Sequence, residues 1–310
     1  MEMKNSLIDN IDARTKLAGS NKMEILLFSL GTKEIFGINV FKVREVSKTP
    51  RITKAPYMPA GIEGVISLRG NIIPVINLGK FANLDNIPNT PPAIMIVTEY
   101  SRHTQGFLVH QVEHIVRVDW DMVKSPEGML SGSDALITAI TELPDGRLIS
   151  ILDVEQILAN AYGEDSIFSM DPIVNGENYT VFFVDDSAVA RKMISGVLDQ
   201  LSIRYHQANN GLDGWNKLDS LASRAQRAGE SLRESLQLIL VDAEMPEMDG
   251  YVLTKQIKSD QRFQGIPIIM HSSLSSEANR AMGKNVGVDA YVAKFDPEIL
   301  ASTIRSTLNR

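Results

Sequence analysis

The sequence predicts two domains of different fold class, a mainly β domain followed by an α/β domain. The chain has 310 residues, and a typical domain of roughly 150 residues leaves room for about two. Before about Leu152, short runs rich in Ile and Val are separated by Gly, Pro and Asn, which is typical of strands and turns. After Thr180, apolar strands alternate with amphipathic helices, a pattern that indicates a parallel sheet covered by helices on both faces.

Short strands account for most of the first domain, and the turn signals between them predict a barrel or a sandwich. Two segments, Val40 to Val46 and Asp153 to Ala161, are predicted to be helical, and the second is expected to close the domain. The predicted strands are EILLFSL, EIFGINV, GVISL, NIIPVINL, PAIMIVTE, QGFLVH and RLISIL.

Residues 162–178 are predicted to separate the two domains. This segment, YGEDSIFSMDPIVNGEN, has no hydrophobic periodicity and collects Gly, Asp, Ser and Pro, as a solvated linker does. We therefore predict an N-terminal segment over residues 1–21, a first domain over 22–161, the linker, and a second domain over 179–310. In the second domain, LASRAQRAGESLRESL at 221–236 is too long for an ordinary loop and is predicted to extend a helix.

Composition excludes several classes of function. The formal net charge of −7 has the wrong sign for a general nucleic-acid binder. Zero cysteines exclude disulfides, thiol nucleophiles and Cys-ligated zinc. No run approaches the roughly 20 apolar residues of a membrane span, and the first residues lack the apolar stretch of a secretory signal. We expect a cytoplasmic protein that binds no nucleic acid and does not insert into a membrane.

Three carboxylates follow predicted strands of the second domain. Asp185 and Asp186 end TVFFV, and Asp242 ends LQLILV. The carboxyl ends of parallel strands form the binding edge of an open α/β sheet, so these acids can share one crevice. A divalent cation would remove their mutual repulsion, and an all-oxygen site suits Mg²⁺. Taken singly, each Asp could instead cap the helix that follows it.

Two further strand ends supply a hydroxyl and an ammonium group. Ser272 follows the fourth predicted strand in IPIIMHSS, and Lys294 follows the fifth in DAYVAK. Together with the acids, they form a set that fits a phosphoryl group. Taken separately, Ser272 could be a helix cap and Lys294 a solvated surface lysine.

This constellation resembles the receiver domain of two-component response regulators, over about Tyr179 to Arg310. Its most specific piece is DAEMPEMDG, from Asp242 to Gly250. The resemblance implies a flavodoxin-like fold whose parallel five-stranded sheet has the order 2-1-3-4-5. It also implies roles for individual residues: Asp242 accepts a phosphoryl group, Lys294 pairs with it, Ser272 senses it, Tyr291 switches rotamer, and Mg²⁺ binds Asp185, Asp186, Asp242 and the backbone carbonyl of Glu244.

A hairpin in the first domain carries a second resemblance. GIEGVISLRGNIIPVINL, from Gly61 to Leu78, places two apolar strands on either side of Arg69-Gly70-Asn71, and by itself it predicts a β-hairpin. With VREV at Val43 to Val46, it resembles the CheW-like coupling domain of bacterial chemotaxis, over about Lys22 to Ala161. That domain folds as a double β-barrel. LAGSNKMEILLFSL at the start is similar to the CheV family, which fuses this domain to a receiver.

The two resemblances together imply a chemotaxis scaffold. Its first domain would dock chemoreceptor cytoplasmic tips and a histidine kinase in receptor arrays, with Arg69 and Glu45 as candidate partner-binding residues. Its receiver would take a phosphoryl group from the kinase at Asp242 without being a turnover enzyme. The alternative is a phosphate sink that drains the kinase through Asp242, and Glu244 could alter the phosphate lifetime on which this choice depends. A phosphatase of the haloacid type would want Asp rather than Glu at position 244.

Overall fold

The structure is a computed structural model that describes residues 22–54, 56–59, 61–82, 84, 88, 92–100, 103–125, 136–162, 170–273, 277–294 and 296–309. The chain divides into two compact units. Of the described residues, those within 23–118 and 122–162 form the first unit, and Lys22, Asp119–Asp121 and those within 170–309 form the second. Among the described residues, no helix is long and apolar enough to cross a membrane.

Two five-stranded sheets form the first unit, which confirms its mainly β class. The strands described there are β1 (Lys22–Ser29), β2 (Ile35–Asn39), β3 (Val43–Lys48), β4 (Ile62–Leu68), β5 (Asn71–Asn77), β6 (Ile94–Tyr100), β7 (His103–Val109), β8 (Gln111–Asp119), β9 (Ile137–Glu142) and β10 (Leu148–Leu152). They pair in the orders β8-β1-β2-β10-β9 and β3-β6-β7-β5-β4. Helix α1 covers Leu78–Phe81, and α2 covers Val154–Tyr162, where a closing helix is predicted.

The predicted helix from Val40 to Val46 is wrong. Only Val40–Lys42 are helical, as a single 3₁₀ turn, and the chain continues as the strand β3. Along β3 the side chains alternate between half-buried and exposed, and the strand pairs antiparallel with β6. A period of two positions places Val43, Glu45 and Ser47 on the half-buried face of the sheet, so the sheet contact overrides the local helical pattern.

The second unit is a five-stranded, all-parallel sheet between helices, which confirms the predicted α/β fold. Its sheet order is β12-β11-β13-β14-β15, or 2-1-3-4-5 when the strands are counted within the unit. The strands are β11 (Thr180–Val184), β12 (Arg204–Ala208), β13 (Leu238–Val241), β14 (Ile268–Ser272) and β15 (Ala290–Ala293). The helices are α3 (Ala188–Gln200), α4 (Gly211–Ala228), α5 (Leu232–Ser235), α6 (Gly250–Ser259), α7 (Glu277–Val286) and α8 (Pro297–Leu308).

Both faces of this sheet are covered, as the interior strand β11 demonstrates. Phe182 and Val184 pack with residues of α4 and α6, whereas Val181 and Phe183 pack with residues of α3 and α8. All five residues of β11 are buried. Because the faces are closed, the carboxyl ends of the strands are the part of the sheet that can hold a site.

Two stretches between predicted elements, residues 221–236 and the described part of the linker at 170–178, belong to the second unit. The predicted extension of a helix over 221–236 is helical to Ala228, where Gly229, with φ of 73°, ends α4 before the short helix α5. In the predicted linker, Ile173 is buried in the core of the second unit, and its amide donates to the carbonyl of Leu201 at 3.2 Å. The domain boundaries themselves stay a prediction.

Candidate functional site

The three predicted acids lie together at the carboxyl ends of the strands in the parallel sheet of the second unit. Strands β11 and β13 run parallel with Val184 opposite Val241, so Asp185 and Asp242 leave adjacent strands at the same level. One carboxylate oxygen from each of Asp185, Asp186 and Asp242 lies within 4.8 Å of the other two. Asp185 is fully buried, Asp242 is 4% exposed and Asp186 is half-buried. Three carboxylates in one crevice are the donors that a hard divalent cation prefers.

The acids at this edge are not helix caps. Ser187 is the N-cap of α3, and its hydroxyl accepts a hydrogen bond from the amide of Ala190. Asp185 instead accepts from the amide of Ser187 at 3.0 Å. The guanidinium of Arg191 donates to the backbone carbonyls of Asp185 and Asp186, both at 2.8 Å. These bonds hold the backbone of the acid pair while leaving carboxylate oxygens directed into the crevice.

Lys294 is a buried bridge between two of the acids. It is 2% exposed, and its Nζ lies 2.9 Å from Oδ2 of Asp242 and 2.9 Å from Oδ2 of Asp185. The alternative of a solvated surface lysine is therefore wrong. Burial by itself raises the pKa of Asp185, but the Lys294 ammonium and the His271 imidazole outweigh it and hold that pKa below its usual value.

The loop from Asp242 to Gly250 closes tightly on the strand end. An added Cβ at Gly250 would lie 1.8 Å from the carbonyl oxygen of Asp242, so the loop requires a glycine there. The amide of Gly250 donates to the carbonyl of Ala243 at 2.9 Å. Asp249 is the N-cap of α6 and accepts from the amide of Val252 at 2.7 Å. Burial raises the pKa of Asp249 to about 6, against the backbone hydrogen bonds that lower it.

Ser272 and Tyr291 also meet at this edge. Ser272 is fully buried at the end of β14, and the amide of Lys294 donates to its carbonyl at 3.0 Å. Tyr291 is half-buried in β15. Burial raises the pKa of Tyr291 to about 12, although interactions with the hydroxyls of Ser272 and Tyr251 oppose that rise. Glu244 is half-buried, and its charge raises the pKa of Tyr291 further.

Sequence reasoning missed two residues of this region, His271 and Tyr251. His271 is 1% exposed, and its Nδ1 lies 3.9 Å from Oδ2 of Asp185. Its signal in the sequence is a titratable side chain inside the apolar strand IPIIMHSS. Tyr251, the second residue of α6, is 4% exposed. A buried aromatic residue after a turn is explained by core packing alone, so the sequence did not single out its hydroxyl.

In the first unit, the predicted hairpin forms between β4 and β5. Arg69 and Gly70 both have positive φ, 50° and 87°, as a two-residue type I′ turn requires. Arg69 forms an ion pair with Glu45 of β3, the other residue singled out as partner-binding. The side chain of Arg69 is 78% exposed and that of Glu45 is 22% exposed. The hairpin turn is thus tethered to β3 by a solvent-facing contact.

Comparisons with known proteins agree with both folds. A model of the CheW-like domain matches residues 24–161, and a model of the response regulator receiver domain matches residues 181–305. The chemotaxis protein CheV3 of Helicobacter pylori (strain ATCC 700392 / 26695) is 35% identical over 282 residues, 89% of this chain and 89% of that protein. The chain belongs to the CheV family.

Other relatives of this CheV-family chain match all or part of it. The chemotaxis protein CheV1 of the same Helicobacter pylori strain is 26% identical over 96% of this chain and 97% of that protein. The crystal structure of the scaffolding protein TtCheW from Thermoanaerobacter tengcongensis is 30% identical and covers 47% of this chain and 97% of that chain, with a TM-score of 0.42. The chain is a CheV-type chemotaxis coupling protein with a CheW-like domain and a receiver domain.

Proposed function

We propose that this CheV-family protein couples chemoreceptors to a histidine kinase and that phosphorylation of Asp242 regulates the coupling. The observation that carries the proposal is the position of Asp242, whose carboxylate lies beside two other acids and 2.9 Å from the buried Lys294 ammonium. A carboxylate held in this way can act as a nucleophile, and the neighbouring ammonium can neutralise negative charge on the phosphoryl group.

The proposed reaction is transfer of a phosphoryl group from a phosphohistidine of the kinase. An oxygen of Asp242 attacks phosphorus in line, the new O–P bond forms, and the N–P bond breaks with its electron pair returning to the histidine nitrogen. Lys294 pairs with the phosphoryl oxygens, and the hydroxyl of Ser272 donates to them. Mg²⁺, held by Asp185, Asp186, Asp242 and the carbonyl of Glu244, would supply neutralisation of the charge on the transferring group.

The three clustered carboxylates fit this metal because they offer only oxygen donors and leave positions for water.

The phosphoryl group is transferred to the receiver itself, so in this proposal the protein is not a turnover enzyme. One phosphoryl group modifies one chain, and the effect of the modification lies in what the chain then binds.

The CheW-like domain is proposed to make the contacts with receptor tips and kinase, at receptor arrays in the cytoplasm. Arg69 is a candidate contact because it presents a planar, largely exposed guanidinium at a hairpin turn. Its pairing with Glu45 restricts that guanidinium to one direction before a partner arrives. A pre-oriented cation loses less conformational entropy on binding than a free one.

The test is phosphotransfer in a mixture of receptor, kinase, ATP and Mg²⁺. Asp242→Asn preserves the shape of the side chain and removes the nucleophile, so it should incorporate no label and leave kinase coupling insensitive to phosphorylation. Asp199→Asn, which changes an exposed carboxyl on α3, is the matched control and should behave as wild type. Normal labelling of Asp242→Asn would refute the assignment. Rapid loss of label with no change in coupling would favour the phosphate sink instead.

A further inference from the structure

A second buried tyrosine lies beside Tyr291. Tyr251 is in the first turn of α6 and is 4% exposed. It packs in a cluster with Ala243, Met270 and Met282, and Tyr291 packs against the same cluster. The two rings therefore share one apolar environment next to the strand ends that carry the acceptor site.

The hydroxyl of Tyr251 is buried but not satisfied. Within the part of the chain that the structure describes, it has no partner in hydrogen-bond geometry. It nevertheless faces the hydroxyl of Tyr291, which is close enough to interact with it electrostatically. The Tyr291 hydroxyl also interacts with Ser272. Tyr291 thus lies between two hydroxyls, with Ser272 on the side of the acceptor site. Leaving a buried hydroxyl without a hydrogen bond is unfavourable, so the arrangement favours any change that supplies one.

The ring of Tyr291 is held from another side by α7. A Cβ at Gly283 would lie 3.1 Å from Cδ2 of Tyr291, so the absence of a side chain there lets the ring lie close against the helix. The guanidinium carbon of Arg280 lies 5.3 Å from the centroid of the ring. The ring is therefore held between α7 and the cluster around Tyr251, and its hydroxyl interacts with both Ser272 and Tyr251.

We infer that Tyr251 is a positioning residue for Tyr291, whose hydroxyl it engages when Ser272 turns to the phosphoryl group on Asp242. The inference rests on the proposed function and adds a specific consequence to it. Among the described residues of the unphosphorylated protein, the Tyr291 hydroxyl interacts with Ser272, and the Tyr251 hydroxyl has no partner in hydrogen-bond geometry. Once phosphorylation draws Ser272 away, Tyr291 and Tyr251 can satisfy each other. The pair therefore biases the receiver toward its phosphorylated conformation.

The test uses the full chain with Mg²⁺ and beryllofluoride, a phosphoryl mimic, and measures mimic affinity in Tyr251→Phe. Losing the new hydrogen bond should weaken mimic binding about fivefold. The matched control is Tyr205→Phe, a tyrosine of the same unit that packs against Phe183 on the other face of the sheet, and it should bind as wild type. In a Tyr291→Phe background, Tyr251→Phe should change the affinity by less than about twofold, because the pair is already broken.

A direct readout comes from ¹⁹F spectra of protein labelled with 3-fluorotyrosine. The Tyr291 resonance should move on mimic binding in wild type and move less in Tyr251→Phe. Equal affinities and an unchanged Tyr291 response in Tyr251→Phe would overturn the role of Tyr251 while leaving Asp242 as acceptor. Failure of the wild-type chain to bind the mimic, or unchanged binding in Asp242→Asn, would overturn the proposed function and this inference with it.

Discussion

Gly250→Ala provides a steric test of the loop that follows Asp242. The added methyl carbon would lie 1.8 Å from the carbonyl oxygen and 2.8 Å from the carbonyl carbon of Asp242, so backbone has to move by roughly 1.5 Å to restore ordinary contact. Forcing one methyl group into filled space costs about 1 to 3 kcal/mol of stability. Because the obstacle here is rigid backbone, we expect a cost near ~3 kcal/mol. The higher helix propensity of alanine than of glycine offsets at most about 1 kcal/mol of this loss. We expect a net loss of about 2 to 3 kcal/mol.

The assay is thermal unfolding of the full chain together with the rate of phosphotransfer. For a domain of this size, the expected loss lowers the melting temperature of the receiver by roughly 10 °C. Because the obstacle is the backbone of the acceptor residue, a displacement of about 1 Å should also slow phosphotransfer by on the order of 100-fold. Gly196→Ala, on α3, is the matched control, since among the described residues no heavy atom beyond its chain neighbours and its own helix backbone lies within 4 Å of the added Cβ. It should raise stability by about 0.5 to 1 kcal/mol.

A Gly250→Ala protein that melts within a few degrees of wild type and accepts phosphate at the wild-type rate would refute this reasoning. The loop would then have enough freedom to place a side chain between α6 and the end of β13. The same conclusion would follow if Gly196→Ala lost as much stability as Gly250→Ala, because a general intolerance of alanine would explain both.

Two further predictions concern charged groups. The pKa of Asp249 is about 6 in the folded chain, above its unfolded value, so stability should rise as the pH falls from about 6 to about 4. Asp249→Asn keeps the cap to Val252, should add up to about 3 kcal/mol at pH 7 and should abolish that rise, as urea unfolding at several pH values would reveal. Arg69→Ala should weaken docking to receptor or kinase at least roughly tenfold, while loss of its exposed pair with Glu45 changes the unfolding free energy by less than about 1 kcal/mol. Pull-down affinities equal to wild type would remove Arg69 from the interface.

The sequence allowed the acid cluster to be predicted because sheet topology places it. Parallel strands bring their carboxyl ends to one edge, so Asp185 and Asp242 could be placed together without knowing any distance. The pair of Arg69 with Glu45 could not be predicted, since the two residues are 24 positions apart, one in the turn between β4 and β5 and the other on β3. The strand β3 was missed because its sheet partner β6 lies far along the chain. Tyr251 was missed because a buried tyrosine is explained by the packing of its ring alone, and the sequence does not reveal where its hydroxyl lies.

The order of strands along the chain has a consequence for protein synthesis. The acids come together once β11 and β13 pair, but Lys294 lies 109 positions after Asp185 and reaches them only when β15 joins the sheet. Until then the carboxylates repel one another without a buried cation between them. A chain still emerging from the ribosome therefore lacks the complete cluster of carboxylates and lysine, even when its CheW-like domain has already folded. Under the proposed function, competence to accept a phosphoryl group is thereby tied to completion of the whole receiver.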